Sequence, residues 1–439
     1  MARAKTFITQ EYSLTQNPFP PTAIVVWGSS DDRENGSLFC EEVSPEKLEE
    51  ATHKFIVNPV DSGSKFHFLW SLGEGEEARG FGKTATLHHL ARRVNADLGH
   101  RILTGHEFPE EEAAATPILA AMGTFNRQDV TTLAAVSLEQ VRYLAQTDPA
   151  TGQTTLGLLR QRILENLREA GDLPKKPGRA GSADEVDAIV GRIREADLSI
   201  GGKTLGSPDQ KFVRHFAGGT ATEVLAYLRG ASTKGGFELL STLLVISRAA
   251  GIKRTFLLID QVEDFASSAV PRRRREMEVE RFRDLAIETQ PFGEMASYVL
   301  TMHPAAARTI EEFWSLARLP KIDHLSRQNE RVTVVLKAID KLDEAERLLG
   351  SYMVRYRVKG VTVERLHPFD KGTLQVLVDR NSGRPGHMLK MAHDLIEEGA
   401  RRQWKVIGSK ETIDFIGRSL EEIDAALRTR KRSGIGAIE

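Results

Sequence analysis

Four short, nearly unbroken apolar runs limit what this chain can fold into more than any other feature. They lie at 66–72, 254–260, 297–303 and 331–336. A strand with one wet face alternates apolar and polar side chains, whereas a strand covered on both faces need not. Between the runs the period changes: Leu87, Leu90, Ala91 and Val94 recur at helical spacing after the first. Doubly buried strands separated by helices predict an α/β fold, a parallel sheet flanked by helices. Further strands are expected at 23–27 and 100–104. Helices are expected at 44–54, 342–356, 370–380 and 385–402. The stretch 110–250 reads as mostly helical, with soft breaks at 173–182 and 201–208, so 146–235 is taken as a helical insertion.

The chain has 439 residues, 40% hydrophobic and 28% charged, with a net charge of −1. That length and composition allow two or three domains with real cores and argue against wholesale disorder. The balanced charge gives no global pull toward nucleic acid or membrane. The single cysteine, Cys40, excludes an intrachain disulfide and a multi-cysteine zinc site, and reads as an inert thiol. The first 13 residues lack the apolar stretch of a signal peptide, and no run approaches the ~20 apolar residues of a membrane helix. The expected compartment is the cytoplasm, with no membrane partner.

The run at 66–72 leads into Gly73-Glu74-Gly75-Glu76-Glu77-Ala78-Arg79-Gly80-Phe81-Gly82-Lys83-Thr84, and a helical pattern follows. Wrapping a phosphate needs backbone N–H groups turned inward, which glycine permits, and a helix N-terminus whose positive end favours an anion. Arg79, Gly80, Phe81, Gly82, Lys83 and Thr84 are the candidate nucleotide contacts. Lys83 is expected on the β and γ phosphates, and the Thr84 hydroxyl on Mg²⁺. The loop departs from the usual G-x-x-x-x-G-K-[ST] in placing Glu77 where the first glycine belongs. A second Gly-Lys-Thr, at 202–204, lacks a convincing strand before it and a helix directly after it. It reads as a loop.

The run at 254–260 ends in Asp260, where a strand-end carboxylate faces the crevice occupied by the phosphate loop. Asp260 is the expected second metal-site residue. Gln261 stands where many ATPases place the acid that orients the attacking water. The next carboxylates are Glu263, the preferred candidate for that role, and Asp264.

In this order, with the run at 297–303, the segment 319–325 and a helical C-terminal region, the chain resembles the AAA+ ATPases and their STAND relatives. The likeness is to replication-initiator-like or transposition-regulator-like members, and the acids displaced beyond Asp260 are similar to the KAP pattern. That resemblance implies a P-loop NTPase sheet with a helical lid, binding ATP and Mg²⁺. It implies Thr301 or His303 as the polar sensor of the γ-phosphate, Arg318 as an arginine finger reaching a neighbouring subunit, and Arg384 as a lid arginine near the nucleotide. It also implies a homo-oligomer.

Arg272, Arg273, Arg274 and Arg275, and a basic segment at 428–432, are candidate DNA contacts. The leading functional expectation is an ATP-driven switch or motor in a DNA-transaction or genome-defence complex, such as phage defence or mobile-element control, with other protein subunits. The alternatives are a signalling ATPase that recruits a protein partner without DNA, and an inactive nucleotide-binding scaffold to which Glu77 and Gln261 point. The expected division is an N-terminal extension at 1–60, an ATPase core at 61–145 and 236–340, the insertion at 146–235, and a helical lid with basic tail at 341–439.

Overall fold

The computed structural model describes residues 2–22, 25–27, 29–72, 79–106, 108–126, 129–148, 151–174, 182–265, 271–319 and 327–418. Among the described residues there are seven strands: β1 (Phe66–Ser71), β2 (Ile118–Thr124), β3 (Lys203–Thr204), β4 (Arg254–Asp260), β5 (Thr289–Gln290), β6 (Ala296–Met302) and β7 (Thr333–Leu336). Five of them form one sheet in the order β2-β4-β6-β1-β7, and every pairing in it is parallel. All residues of β1 and β6 are buried. Period-two geometry sends alternate side chains to opposite faces. Phe66 and Phe68 meet Trp314, of the helix Pro304–Leu316, on one face, while His67 meets Phe55 on the other.

The strand order positions the site. The chain leaves β1 toward β2 at one edge, passing β6 and β4, and leaves β6 toward β7 at the other edge, passing β1. Connections diverging from two neighbouring strands open a crevice at their carboxyl ends.

Two local expectations are corrected. Residues His100–Thr104 form a helix, and the neighbouring strand is Ile118–Thr124. Its alanine-rich sequence carries little intrinsic strand preference, and in-register pairing of all seven residues with β4 overrides that. Gly123 lets the strand approach the helix Leu133–Ala145 closely: a Cβ there would stand 2.7 Å from the Val136 carbonyl oxygen. The described part of 23–27 is not a strand. Instead Trp27 stacks on Tyr143 and His88, at 4.7 and 5.4 Å between ring centres. The second Gly-Lys-Thr ends in the exposed two-residue strand β3, paired with β5.

The insertion does not build a core of its own. Leu159, Ile163, Ile189, Ile193 and Phe212, from three of its helices, join the core of the main sheet. A second core lies around the helices Leu342–Arg355, Lys371–Arg380 and Pro385–Arg402. The chain's first residues belong to it: Ile8, Tyr12, Leu14 and Phe19 are buried there. The Tyr12 hydroxyl donates to the Trp404 carbonyl at 2.7 Å, and the Asn17 amide to Glu397 at 2.9 Å. The expected extension at 1–60 is thus split. Its start completes the C-terminal unit, and Leu48, Ala51, Phe55 and Ile56 complete the sheet's core. The segment between is held by both sides, through Arg92 to the Gly36 carbonyl on one and Arg355 to Asp32 on the other. Among the described residues, no helix is long and apolar enough to cross a membrane.

Two buried histidines set a pH response. Burial disfavours the imidazolium and lowers His67 and His88 to about 3. The unfolded chain protonates these rings near pH 6.5, which the folded chain does not do until far lower pH. Their contribution is intact above about pH 6.5 and is lost as pH falls, by up to about 1.4 kcal/mol per pH unit for each ring. Urea unfolding should show stability declining from about pH 6.5 to about pH 5, and His88→Phe, which keeps a ring beside Trp27, should make the decline shallower by one ring's share. A stability that is level across that window contradicts this account.

Candidate nucleotide-binding site

At the carboxyl end of β1, residues 73–78 lie outside the described residues, and with them Gly73, Gly75 and the three acids Glu74, Glu76 and Glu77. The loop is described again from Arg79. Gly80 and Gly82 have φ of +83° and +85°, left-handed conformations that glycine adopts without a side-chain penalty. Gly82 caps the helix Lys83–Ala96, and its carbonyl accepts from the Thr86 N–H at 2.8 Å. The first-turn N–H groups of any helix lack partners within it, so this turn faces the crevice as an anion-favouring end.

The two side chains that open the helix point back to the sheet. The Lys83 ammonium is buried and donates to the Ser71 hydroxyl at 2.8 Å. The Thr84 hydroxyl donates to Asp260 Oδ2 at 2.5 Å, across 176 positions of sequence. Asp260 is 1% exposed at the end of β4. An isolated buried carboxylate is costly to bury, and the Thr84 hydroxyl satisfies one of its oxygens here.

Beyond Asp260 the chain turns sharply. Gln261 has φ of +54°, its N–H donates to Thr301 Oγ1 at 2.9 Å, and its carbonyl accepts from the Asp264 N–H at 2.9 Å. Thr301 is fully buried on β6, where it holds this turn. His303 caps the helix Pro304–Leu316, its ring nitrogen accepting from the Ala306 N–H at 3.4 Å. The Glu263 side chain lies outside the described residues, whereas Asp264 lines the cavity beside Asp260.

That cavity encloses about 1040 Å³ between the two cores. Its volume matches the upper end of small-molecule sites, roughly 300–1,000 Å³. Lys83, Thr84 and Asp260 line it, with Leu38, Phe39 and Cys40 in one wall and Ile339 and Tyr352 in another. The C-terminal unit touches the glycine-rich loop directly. The Gly386 N–H donates to the Gly80 carbonyl at 2.9 Å, and the His387 ring lies so close that a Cβ on Gly80 would stand 2.7 Å from its Cδ2.

No protein-family model and no curated protein matches this chain.

Of the residues singled out from sequence, Arg79, Gly80, Phe81, Gly82, Lys83, Thr84, Asp260 and Asp264 converge on the cavity. Arg384 does not line it: its Nε donates to the Asn381 carbonyl at 3.1 Å, and His387 and Lys390 reach the cavity instead. Thr301 and His303 are turned to backbone roles. Arg318 is exposed just past the helix Pro304–Leu316, about 20 Å along the helix axis from the strand ends where that helix starts. In the arginine cluster, Arg272 pairs with Glu312 and Arg275 lies over the Phe313 ring at 5.3 Å, while Arg273 and Arg274 are exposed. The segment 428–432 lies outside the described residues.

Sequence reading missed Tyr352, Lys390 and the wall at 38–40, which arrive from distant segments with no motif of their own. Cys40 is half-buried in that wall, its thiol donating to the Arg347 carbonyl at 3.6 Å.

Gly80→Ala tests the contact between loop and helix. It should cost about 1–3 kcal/mol, combining left-handed strain with the displaced ring. Gly152→Ala, at φ of +68° with open space around its Cβ, should cost about 1 kcal/mol. In a His387→Ala background the two costs should converge in urea unfolding, and equal costs in the wild-type background contradict the contact.

Proposed function

We propose that the protein is a Mg²⁺-dependent P-loop ATPase of the AAA+/STAND type. The observation that carries this reading is the meeting of Thr84 and Asp260 at the mouth of a glycine-rich loop, with Lys83 beside them. A hydroxyl and a carboxylate are hard oxygen donors, which suit Mg²⁺. Among the described residues, no group of three or more His, Cys, Asp or Glu side chains is placed to hold a metal. That fits an ion that arrives with a nucleotide and takes its remaining ligands from phosphate and water. When bound, Mg²⁺ neutralises charge on the phosphate oxygens.

The chain's own groups do the rest. Lys83 leaves Ser71 for the β and γ phosphates, and the N–H groups of the loop and first helical turn surround them. Thr84 and Asp260 are the residues that would hold the ion. A carboxylate of the 263–264 pair orients water toward the γ-phosphorus. The presence of Asp264 in the cavity favours turnover over an inert scaffold. The sheet order, and a cavity shared with a C-terminal helical unit, support the AAA+ reading.

The proposed setting is cytoplasmic: a homo-oligomeric switch or motor in a DNA-transaction or genome-defence complex, with Arg318 serving a neighbouring subunit and the exposed Arg273 and Arg274 meeting DNA phosphates. ATP turnover measured with and without DNA, beside the mass in solution with a non-hydrolysable ATP analogue, tests that setting. DNA-independent turnover would move the reading to a signalling ATPase.

Lys83→Ala should weaken Mg·ATP binding about tenfold or more, the loss expected for a hydrogen bond to a charged group, while the fold persists. Binding by calorimetry that is unchanged in Lys83→Ala contradicts the assignment.

A further inference from the structure

We propose that Gln261 is a positioning residue that aims Asp264, so that Asp264 rather than Glu263 takes the proton of the attacking water; this rests on the ATPase reading above. Position 261 directly follows the metal-site carboxylate, and its backbone is left-handed at φ of +54°, a conformation disfavoured for any residue but glycine. Such strain persists only where surrounding contacts over-determine it. Here they do. The Gln261 N–H is fixed by buried Thr301, and its carbonyl accepts from the Asp264 N–H, closing a tight turn.

The side chain completes the arrangement. Oriented to satisfy its neighbours, the Gln261 amide donates to the Phe125 carbonyl at 3.3 Å and to Asp264 Oδ2 at 3.2 Å. Phe125 is anchored in turn, its N–H donating to the Asp260 carbonyl at 3.1 Å. The end of β2 therefore holds the amide through Phe125, β6 holds the backbone behind it through Thr301, and the amide holds one oxygen of Asp264. Asp264 lies in the cavity wall with Asp260.

The hydrolytic step balances through these groups. The water oxygen bonds to the γ-phosphorus as the bond from that phosphorus to the β–γ bridging oxygen breaks. The electron pair leaves on ADP. The water's proton passes to the Asp264 carboxylate and then to solvent. The choice of glutamine also follows. A glutamate at 261 would set two carboxylates in hydrogen-bond range, and like charges that close force one to hold a proton. An amide instead donates a hydrogen bond to the Asp264 oxygen and adds no charge beside it.

The test uses the full chain and three variants: Gln261→Gly, Asp264→Asn and Glu263→Gln. Glycine accepts the left-handed backbone, so Gln261→Gly removes the amide while keeping the turn. Expected for Gln261→Gly is a kcat lower by about tenfold or more, with KM and the affinity for a non-hydrolysable ATP analogue within about twofold and an unchanged or higher melting temperature. Asp264→Asn should lose turnover and keep analogue binding, and its kcat should fall further than that of Glu263→Gln. An unchanged kcat in Gln261→Gly, or equal losses of kcat and analogue affinity, overturns the positioning role. Turnover lost in Glu263→Gln but kept in Asp264→Asn overturns the choice of base. A wild-type chain that binds the analogue but hydrolyses no ATP removes the ATPase reading, and this assignment with it. Wild-type turnover with a failed Gln261→Gly result removes this assignment alone.

Discussion

A buried carboxylate needs a partner, and in this protein the partner of Asp260 comes from 176 positions away. The contact with Thr84 ties the end of β4 to the first turn of the helix Lys83–Ala96, although β6 lies between β4 and β1 in the sheet. Two elements that are not neighbours are thereby fixed around one point. The remaining features of the site follow from that point. Gly80 and Gly82 turn the loop, Ser71 holds the Lys83 ammonium in the same cavity, and Thr301 holds the turn that follows Asp260. Each contact is a single hydrogen bond of modest net worth. Their effect is geometric, because all of them end at the carboxyl side of the same sheet.

The second core gives the site its other half. The two ends of the described chain meet there, and the segment linking the first residues to the sheet runs along the cavity wall. The helix Pro385–Arg402 is rooted in that core by Met388, Leu389, Ala392, Leu395 and Ile396, and its first turn touches Gly80. On the proposed reading, phosphates entering the loop meet a rigid lever whose far end is a packed hydrophobic core. Close packing transmits such a displacement and does not absorb it. That offers a physical route from nucleotide occupancy to the relative placement of the two units, which is what an ATP-driven switch requires.

What the sequence made legible follows from how local each signal is. Strands β1, β4, β6 and β7 were readable because burial on both faces writes itself as an unbroken apolar run. The convergence of Lys83, Thr84 and Asp260 was readable because glycine spacing and a strand-end acid are local patterns. β2 was not, since Ala120, Ala121 and Gly123 have no strand preference and become a strand only through pairing with β4. The role of residues 8–19 was equally hidden, because nothing near Tyr12 or Asn17 signals partners such as Trp404 and Glu397. Beside Arg384, whose Nε donates to the Asn381 carbonyl, His387 three residues on reaches the loop, a contact set by the helix axis and not by local sequence.

The central claim is that Thr84 and Asp260 share one nucleotide-bound magnesium ion. The most direct test is a crystal structure of the full chain grown with Mg²⁺ and a non-hydrolysable ATP analogue. The account predicts the metal on the Thr84 hydroxyl, the Asp260 carboxylate turned to its water shell, and the terminal phosphates beside Lys83. A nucleotide bound elsewhere, or a Thr84–Asp260 hydrogen bond that stays closed with the analogue present in excess, contradicts it.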